Sequence, residues 1–273
     1  MARAQESHYF VTYDHHMEEP GSLEIEFEPT TARPSDGNRF LSGLTEFEYG
    51  TTAWWTTEIY LEGQSTMHDS TVFSGYRIEN RFRLLGSEHW INPVLYAEYE
   101  RISADKALKE VVGFDGQGDG LDPNSIARQE VKHEVETRLI LSSDYRGWNI
   151  SENFLGEKNL AHAPWEFGYA VGLSRPLGLA ASPMNCNFCP ENFRAGVEIY
   201  GGLGTADRFT FHDTSQYIAP VLTWSPPVGP TFSVSPSFGV TDPAYGFILR
   251  FGVSYEFPGF GRAMRGLFTG SGK

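Results

Sequence analysis

Cysteine is almost missing from this chain: there are two in 273 residues, Cys186 and Cys189. They form a single C-x-x-C with no histidine after the second, which excludes c-type haem attachment. A zinc ribbon would need a second such pair, and there is none. A local disulfide in an oxidising compartment is the expected state of the pair. Long apolar runs are also absent, none approaching the roughly 18 residues of a membrane-spanning helix. Basic residues are scarce, 21 against 35 acidic, leaving a net charge of −14. Nucleic acid is therefore not an expected partner, because phosphates demand a basic surface. Nucleophile motifs are lacking too. Ser151 and Asn153 fall on a predicted strand next to the one carrying His133, but no motif joins them, and no enzyme is expected. A secretory leader is missing, although Ala2-Arg3-Ala4 has the small-residue pattern that ends one, and a leader already removed is the expectation.

What the sequence has in abundance is alternation. Aromatic residues make up 14% and glycine contributes 29, a composition suited to strands joined by tight turns. In the run FILRFGVSYEF, the residues Phe247, Leu249, Phe251, Val253, Tyr255 and Phe257 take every second position. Ile248, Arg250, Gly252, Ser254 and Glu256 fill the gaps, so a strand here has one apolar and one largely polar face. The same period recurs near residues 23–27, 41–49, 54–62, 71–84, 90–101, 131–141, 148–155, 165–173, 193–201, 216–224 and 231–240. That predicts twelve strands, an even number, as an antiparallel sheet closing on itself requires. Short turns at 50–52, 86–88, 144–147 and 225–229 alternate with longer connections, the largest spanning 102–128; the short turn Thr241-Asp242-Pro243 breaks the rule, and the link at 175–191 is unusually long for the short-turn end. A mean hydropathy of −0.35 is compatible with a membrane barrel, whose strands put apolar side chains on lipid and polar ones inside. A soluble sandwich would show the same period, but charged faces recur on strands from both ends of the chain without a sheet boundary. The predicted architecture is all-β: an antiparallel transmembrane barrel over residues 22–257, short periplasmic turns, longer outer loops, a periplasmic lead-in at 1–21 and a tail at 258–273.

The polar faces carry the candidate functional residues. In chain order they are Glu46 and Glu48, then Glu58 and Glu62, then Arg77, Glu79, Arg81 and Arg83. Glu98 and Glu100 follow, then Lys132, Glu134, Glu136 and Arg138, then Arg194 and Glu198, and finally Arg250 on the closing strand. Glu24, Glu26, Glu28, Glu166 and Glu256 share that face, so acids outnumber bases on it. In an open pore such carboxylates concentrate cations; in a filled one they pair with arginine to offset desolvation. The expected function is a channel or transporter component of the bacterial outer membrane, taking small polar solutes with a cation preference and contacting membrane lipid. A closed structural or adhesive barrel with a salt-bridged interior is the alternative, and a membrane-embedded lipid-modifying enzyme a more distant one.

Residues 43–63, GLTEFEYGTTAWWTTEIYLEG, read as a strand, a tight Y-G-T-T turn and a second strand. This hairpin resembles the opening hairpins of bacterial outer-membrane transporters of the phenol-degradation MetA-pathway type. The resemblance implies an outer-membrane barrel from about residue 22 to 257 and brings no catalytic residues.

Three smaller features complete the reading. Asp115, Asp119 and Asp122, with Gln117 and Gly120, resemble half of a calcium loop, but Ile126 stands where the bidentate acid belongs. Calcium is a candidate ligand there, against a plain Gly-Asp-rich loop. His15 and His16 are metal-ligand types, but neighbours on an extended chain point to opposite sides. In the tail, Pro258 ends strand pairing. Phe260, Met264, Leu267 and Phe268 share one helical face beside Arg262 and Arg265, suited to a lipid surface, while several glycines favour an unfolded tail.

Overall fold

A computed structural model describes residues 9–35, 37–103, 111–118, 120–161, 163–180 and 186–269. The alternating stretches form β1 (Leu23–Ala32), β2 (Phe40–Thr52), β3 (Trp55–Thr66), β4 (Thr71–Arg83), β5 (Asn92–Ile102) and β6 (Lys132–Tyr145). They continue as β7 (Trp148–Asn159), β8 (Trp165–Pro176), β9 (Phe193–Thr205), β10 (Gln216–Trp224), β11 (Thr231–Gly239) and β12 (Phe247–Phe257). Each strand pairs antiparallel with its sequence neighbours, and β1 pairs with β12, so the twelve close into a barrel. The seam runs from Leu23 opposite Phe257 to Ala32 opposite Ile248. Closure leaves no free strand edge, the condition for crossing a hydrocarbon layer with strands. No helix among the described residues is long and apolar enough to cross a membrane.

Several strands run longer than their alternation suggests; β1 continues past Phe27 to Ala32 and β9 past Gly201 to Thr205. Threonine, alanine and glycine carry these extensions, which lack the apolar signal but keep the ladder. The β6–β7 hairpin turns on Arg146 and Gly147, both with positive φ (51° and 82°), the pair of left-handed residues a tight primed turn needs. The connections keep the expected asymmetry, including the exception at 177–192. That link contains a short 3-10 turn (Pro190–Asn192) and the disulfide Cys186–Cys189. The start of β1 and the end of β12 lie together at the short-turn end of the barrel.

The outer face is apolar where a lipid layer would meet it. Ile59, Leu61, Ile78, Leu95, Leu139, Phe154, Ile199, Ile218, Leu222 and Phe251 all point outward and are exposed. Aromatic rings gather at both rims. Trp55 stacks on Phe82, and Trp224 stacks on Phe188 and Phe232, at the short-turn end. Phe238 packs on Phe247, and Tyr169 on Phe211, toward the other. Such a band with aromatic girdles is how a barrel seats itself in a bilayer.

Beyond β12 the chain turns at Gly259, whose φ is +69°, and forms a helix, α1 (Phe260–Thr269). A backbone bond from Gly261 N–H to the Gly21 carbonyl (2.8 Å) ties this helix to the base of β1. A side chain at position 261 would meet the Tyr49 hydroxyl at 2.5 Å, so glycine there permits the close approach. The tail is thus helical rather than unfolded, with Leu267 exposed.

Candidate functional site

The inner face is not an open charged channel. It is a filled interior with two different halves, completed by a segment from outside the wall. Tyr9–His15 run buried inside the barrel, although residues 1–21 read from sequence as a lead-in lying outside it. The segment belongs to no strand, so its backbone donors must find acceptors on the wall. Glu198 on β9 accepts three consecutive N–H groups, from Phe10 (3.2 Å), Val11 (2.9 Å) and Thr12 (2.7 Å). Asn153 on β7 accepts from the Tyr13 N–H (2.7 Å) and donates to the Tyr13 carbonyl (2.8 Å). Arg138 on β6 donates to the Val11 carbonyl (3.0 Å). Its guanidinium lies 4.6 Å from the ring centres of both Tyr13 and Tyr96. The Tyr9 hydroxyl reaches Asn149 on β7 (2.9 Å) and the Tyr13 hydroxyl reaches Glu79 on β4 (3.2 Å), so the segment crosses the lumen from wall to wall.

A glycine on the wall, Gly172 of β8, makes room for it. A side chain at Gly172 would stand 2.7 Å from the Tyr9 ring and 3.1 Å from Thr12. Phe10 and Val11 join Ala170, Tyr200, Tyr217, Ala219, Val221 and Ile248 in one apolar core inside the β8–β12 half. Burying these side chains inside the barrel is as favourable as burying them in any core.

The β2–β6 half holds most of the sequence-predicted charges as buried ion pairs. Arg81 binds Glu58 (2.6 Å) and Glu48, with Glu79 at 3.5 Å. Arg77 pairs with Glu62, with Glu100 at 3.4 Å and Glu98 at 3.7 Å. Arg138 pairs with Glu136 (2.8 Å). Arg250 sits apart on β12 and donates to the Tyr200 hydroxyl (2.6 Å) and Ser237 (3.1 Å). Glu46 lines the interior beside Glu48 and Glu58, and Glu134 accepts from Asn159 (3.0 Å). At the margins, Lys132 is exposed at the long-loop rim, Arg83 pairs with Glu88 at the opposite rim, and Arg194 donates to Ser174 (3.3 Å). A cavity survives between β1, β2, β3, β4 and β12, lined by Glu28, Ser42, Glu62, Arg77 and Arg250.

The long-loop end is covered as well. Val111 and Val112 are buried, and Gly113 bridges to Gly204 on β9. Gln117 N–H donates to the Pro243 carbonyl (2.9 Å), and buried Asn124 is held by Gln64 (2.9 Å) and the N-terminal side of β4. This packing sets Gln117 against the β11–β12 connection and Asn124 against the β3–β4 connection. Among the described residues, Asp115 and Asp122 do not join a group of three metal-ligating side chains, and Asp119 lies outside the described residues. His133 and Ser151 are also kept apart. His133 faces outward against the Tyr99 hydroxyl (2.7 Å), while Ser151 faces inward toward Ser142 (2.9 Å).

Where the N-terminal segment leaves the lumen it is anchored by His15 and His16. His15 contacts Ser142 (2.8 Å) and Glu88 (2.9 Å); His16 contacts Asp14 (3.0 Å) and Asp144 (3.2 Å). Asp14 beside it raises the His16 ring to about 10, so it is a cation at neutral pH. Burial, with Glu24 and Glu256 nearby, pushes the Glu18 carboxyl up to about 8. Sequence reasoning missed this segment because its residues are individually ordinary. The one signal in the sequence is a short extended-type stretch from His8 to Tyr13, far too short to span a membrane.

No protein-family model matches the chain, and no curated protein matches it in sequence. Solved structures do match in shape. The KdgM porin superposes with a TM-score of 0.52 at 8% identity, covering 86% of this chain and 99% of that one. An outer membrane channel from Pseudomonas putida F1 superposes with a TM-score of 0.57 at 9% identity, covering 89% and 98%. The fold is that of an outer-membrane β-barrel. At such identities the likeness concerns the fold alone; the interior has to be read from this chain's own residues.

Proposed function

We propose that the protein is an outer-membrane channel for small polar solutes, favouring cations, and held closed by its own N-terminal segment. The observation that carries this reading is the way the segment is held. It crosses an acid-rich lumen on side-chain bonds to Glu198, Asn153 and Arg138, outside the ladder of the wall. Bonds of that kind are individually worth about 1–3 kcal/mol and can be exchanged for water, whereas the closed sheet cannot open piecemeal. With the segment withdrawn, the exposed lining includes Glu198 together with Glu28 and Glu62 of the remaining cavity, carboxylates that draw in cations. The hairpin at residues 43–63 is the ground for placing the protein with transporters of the phenol-degradation MetA-pathway type.

A second reading, a permanently closed structural barrel, draws on the long-loop cover and the buried ion pairs of Arg77 and Arg81. Planar-bilayer recording separates the two. The full chain is expected to show small or rare currents, and a chain lacking residues 1–21 a several-fold larger conductance with a cation-selective reversal potential in a salt gradient. Silence from both proteins, each shown to be folded, would leave the closed barrel.

A further inference from the structure

Adjacent histidines on an extended chain diverge, but here the chain bends at His15. The two rings come to lie on the same side, their centres 4.4 Å apart and their planes at 31°. Asp144, near the short-turn end of β6, completes a group in which one donor atom from each of His15, His16 and Asp144 lies within 4.8 Å of the others. The His16 ring is already 3.2 Å from Asp144. Around them stand the partners that orient metal ligands elsewhere. Glu88 and Ser142 contact the two nitrogens of His15, so an ion takes the place of one and the other keeps the ring oriented, while Asn149 donates to Asp144 (2.8 Å). His15 is fully buried while the Asp144 side chain is 45% exposed, so an ion can enter from the rim without displacing the wall.

The donor set decides which ion fits. Two imidazoles and a carboxylate suit zinc, copper(II) or nickel, whereas calcium and magnesium favour all-oxygen shells. Asp14 and Asp144 flank His16 there, so the spot already holds one positive charge, the imidazolium proton, which an ion must displace to bind the ring. The other carboxylate groupings of the interior, Glu46–Glu48–Glu58 and Glu98–Glu100–Glu136, are oxygen-only and lie beside Arg81, Arg77 and Arg138. They point to ion pairing instead.

We propose that His15, His16 and Asp144 form a site for a divalent transition-metal ion of the zinc class, which ties the N-terminal segment to β6. Two of the ligands belong to the segment and one to the wall, so the ion is bound well only in the docked state. By linkage, a concentration about 100-fold above the dissociation constant shifts docking about 100-fold. The latch rests on reading the segment as a removable occupant of the lumen.

The test uses the full-length chain, free of any histidine tag, in detergent. Zinc is titrated in competition with a chromophoric chelator, and cobalt(II) binding is followed by absorption. One equivalent is expected to bind, with His16→Asn and Asp144→Asn each weakening it at least ten-fold while heat-modifiable folding is retained. Zinc is further expected to protect residues 9–17 from protease and lower the conductance, both reversed by chelator. Absence of stoichiometric binding, or affinity untouched by either substitution, would overturn the site. Binding without protection would overturn the latch. Failure of the underlying reading looks different: removal of residues 1–21 would then leave conductance in chelator unchanged while the full chain still bound zinc.

Discussion

At the scale of single residues, Glu198 shows how a buried carboxylate earns its place in this barrel. Its two oxygens take three N–H groups of the N-terminal segment, which satisfies acceptor and donors together. Glu198→Gln keeps the shape but sets an amide N–H against a backbone N–H. It is expected to weaken docking by about 1–3 kcal/mol, read as a rise of about five-fold or more in protease access to the segment. An unchanged cleavage rate would mean that the apolar contacts of Phe10 and Val11 dominate. Gly172→Leu approaches the same contact from the wall. Its first side-chain carbon would already stand 2.7 Å from the Tyr9 ring. That substitution is expected to expel the segment and raise conductance with the barrel intact.

At the scale of elements, the strands differ in what their inner faces do. β4 presents Arg77 and Arg81 to carboxylates of β2, β3 and β5, so one strand neutralises three neighbours. Arg81→Met would leave Glu48, Glu58 and Glu79 buried without their shared cation. The expected loss is about 3–5 kcal/mol, measured by urea unfolding followed through heat-modifiable migration. The outer faces obey the opposite rule. Ile199 lies midway along β9 and faces outward, so Ile199→Arg is expected to cost about 2–4 kcal/mol in bilayers. A negligible cost would put that face somewhere other than lipid. α1 is tied to the barrel at its first turn, through Gly261 N–H to the Gly21 carbonyl. Removing residues 259–273 is therefore expected to leave barrel assembly unchanged, checked by the same gel shift.

At the scale of the whole molecule, the barrel is a wall whose two ends are covered from different parts of the chain. The N-terminal segment enters from the short-turn end, and the β5–β6 connection folds over the other. The covers differ in how they are tied. The loop makes backbone bonds to strand and loop carbonyls, as Gly113 does to Phe167 (3.0 Å), while the segment relies on side chains. The segment is therefore the cover expected to move first. Deleting residues 1–21 should raise conductance and speed hydrogen exchange at the inward residues of β7 and β9, leaving the β5–β6 connection protected. Exchange rising first in that connection would reverse the order.

Period-two alternation by itself determined the number of strands, which side chains of each share a face, and the grouping of Glu58, Arg77, Glu79, Arg81, Glu98 and Arg138 on the face opposite the apolar one. Each of these follows from local geometry, because a strand sends successive side chains to opposite faces whatever surrounds it. The same parity placed Tyr60 beside Glu58 on the inner face. What parity cannot carry is the pairing of distant residues across the lumen. Nothing near Tyr9–Met17 in sequence marks Glu198 or Asn153 as its partners; only closure of the barrel brings β7 and β9 around the segment. The bend that turns His15 and His16 to one side likewise arises where the chain leaves the lumen, anchored by Ser142 and Glu88. Local periodicity set the wall, and long-range packing decided what fills it, because the interior contacts join residues whose separation in sequence carries no periodic signal.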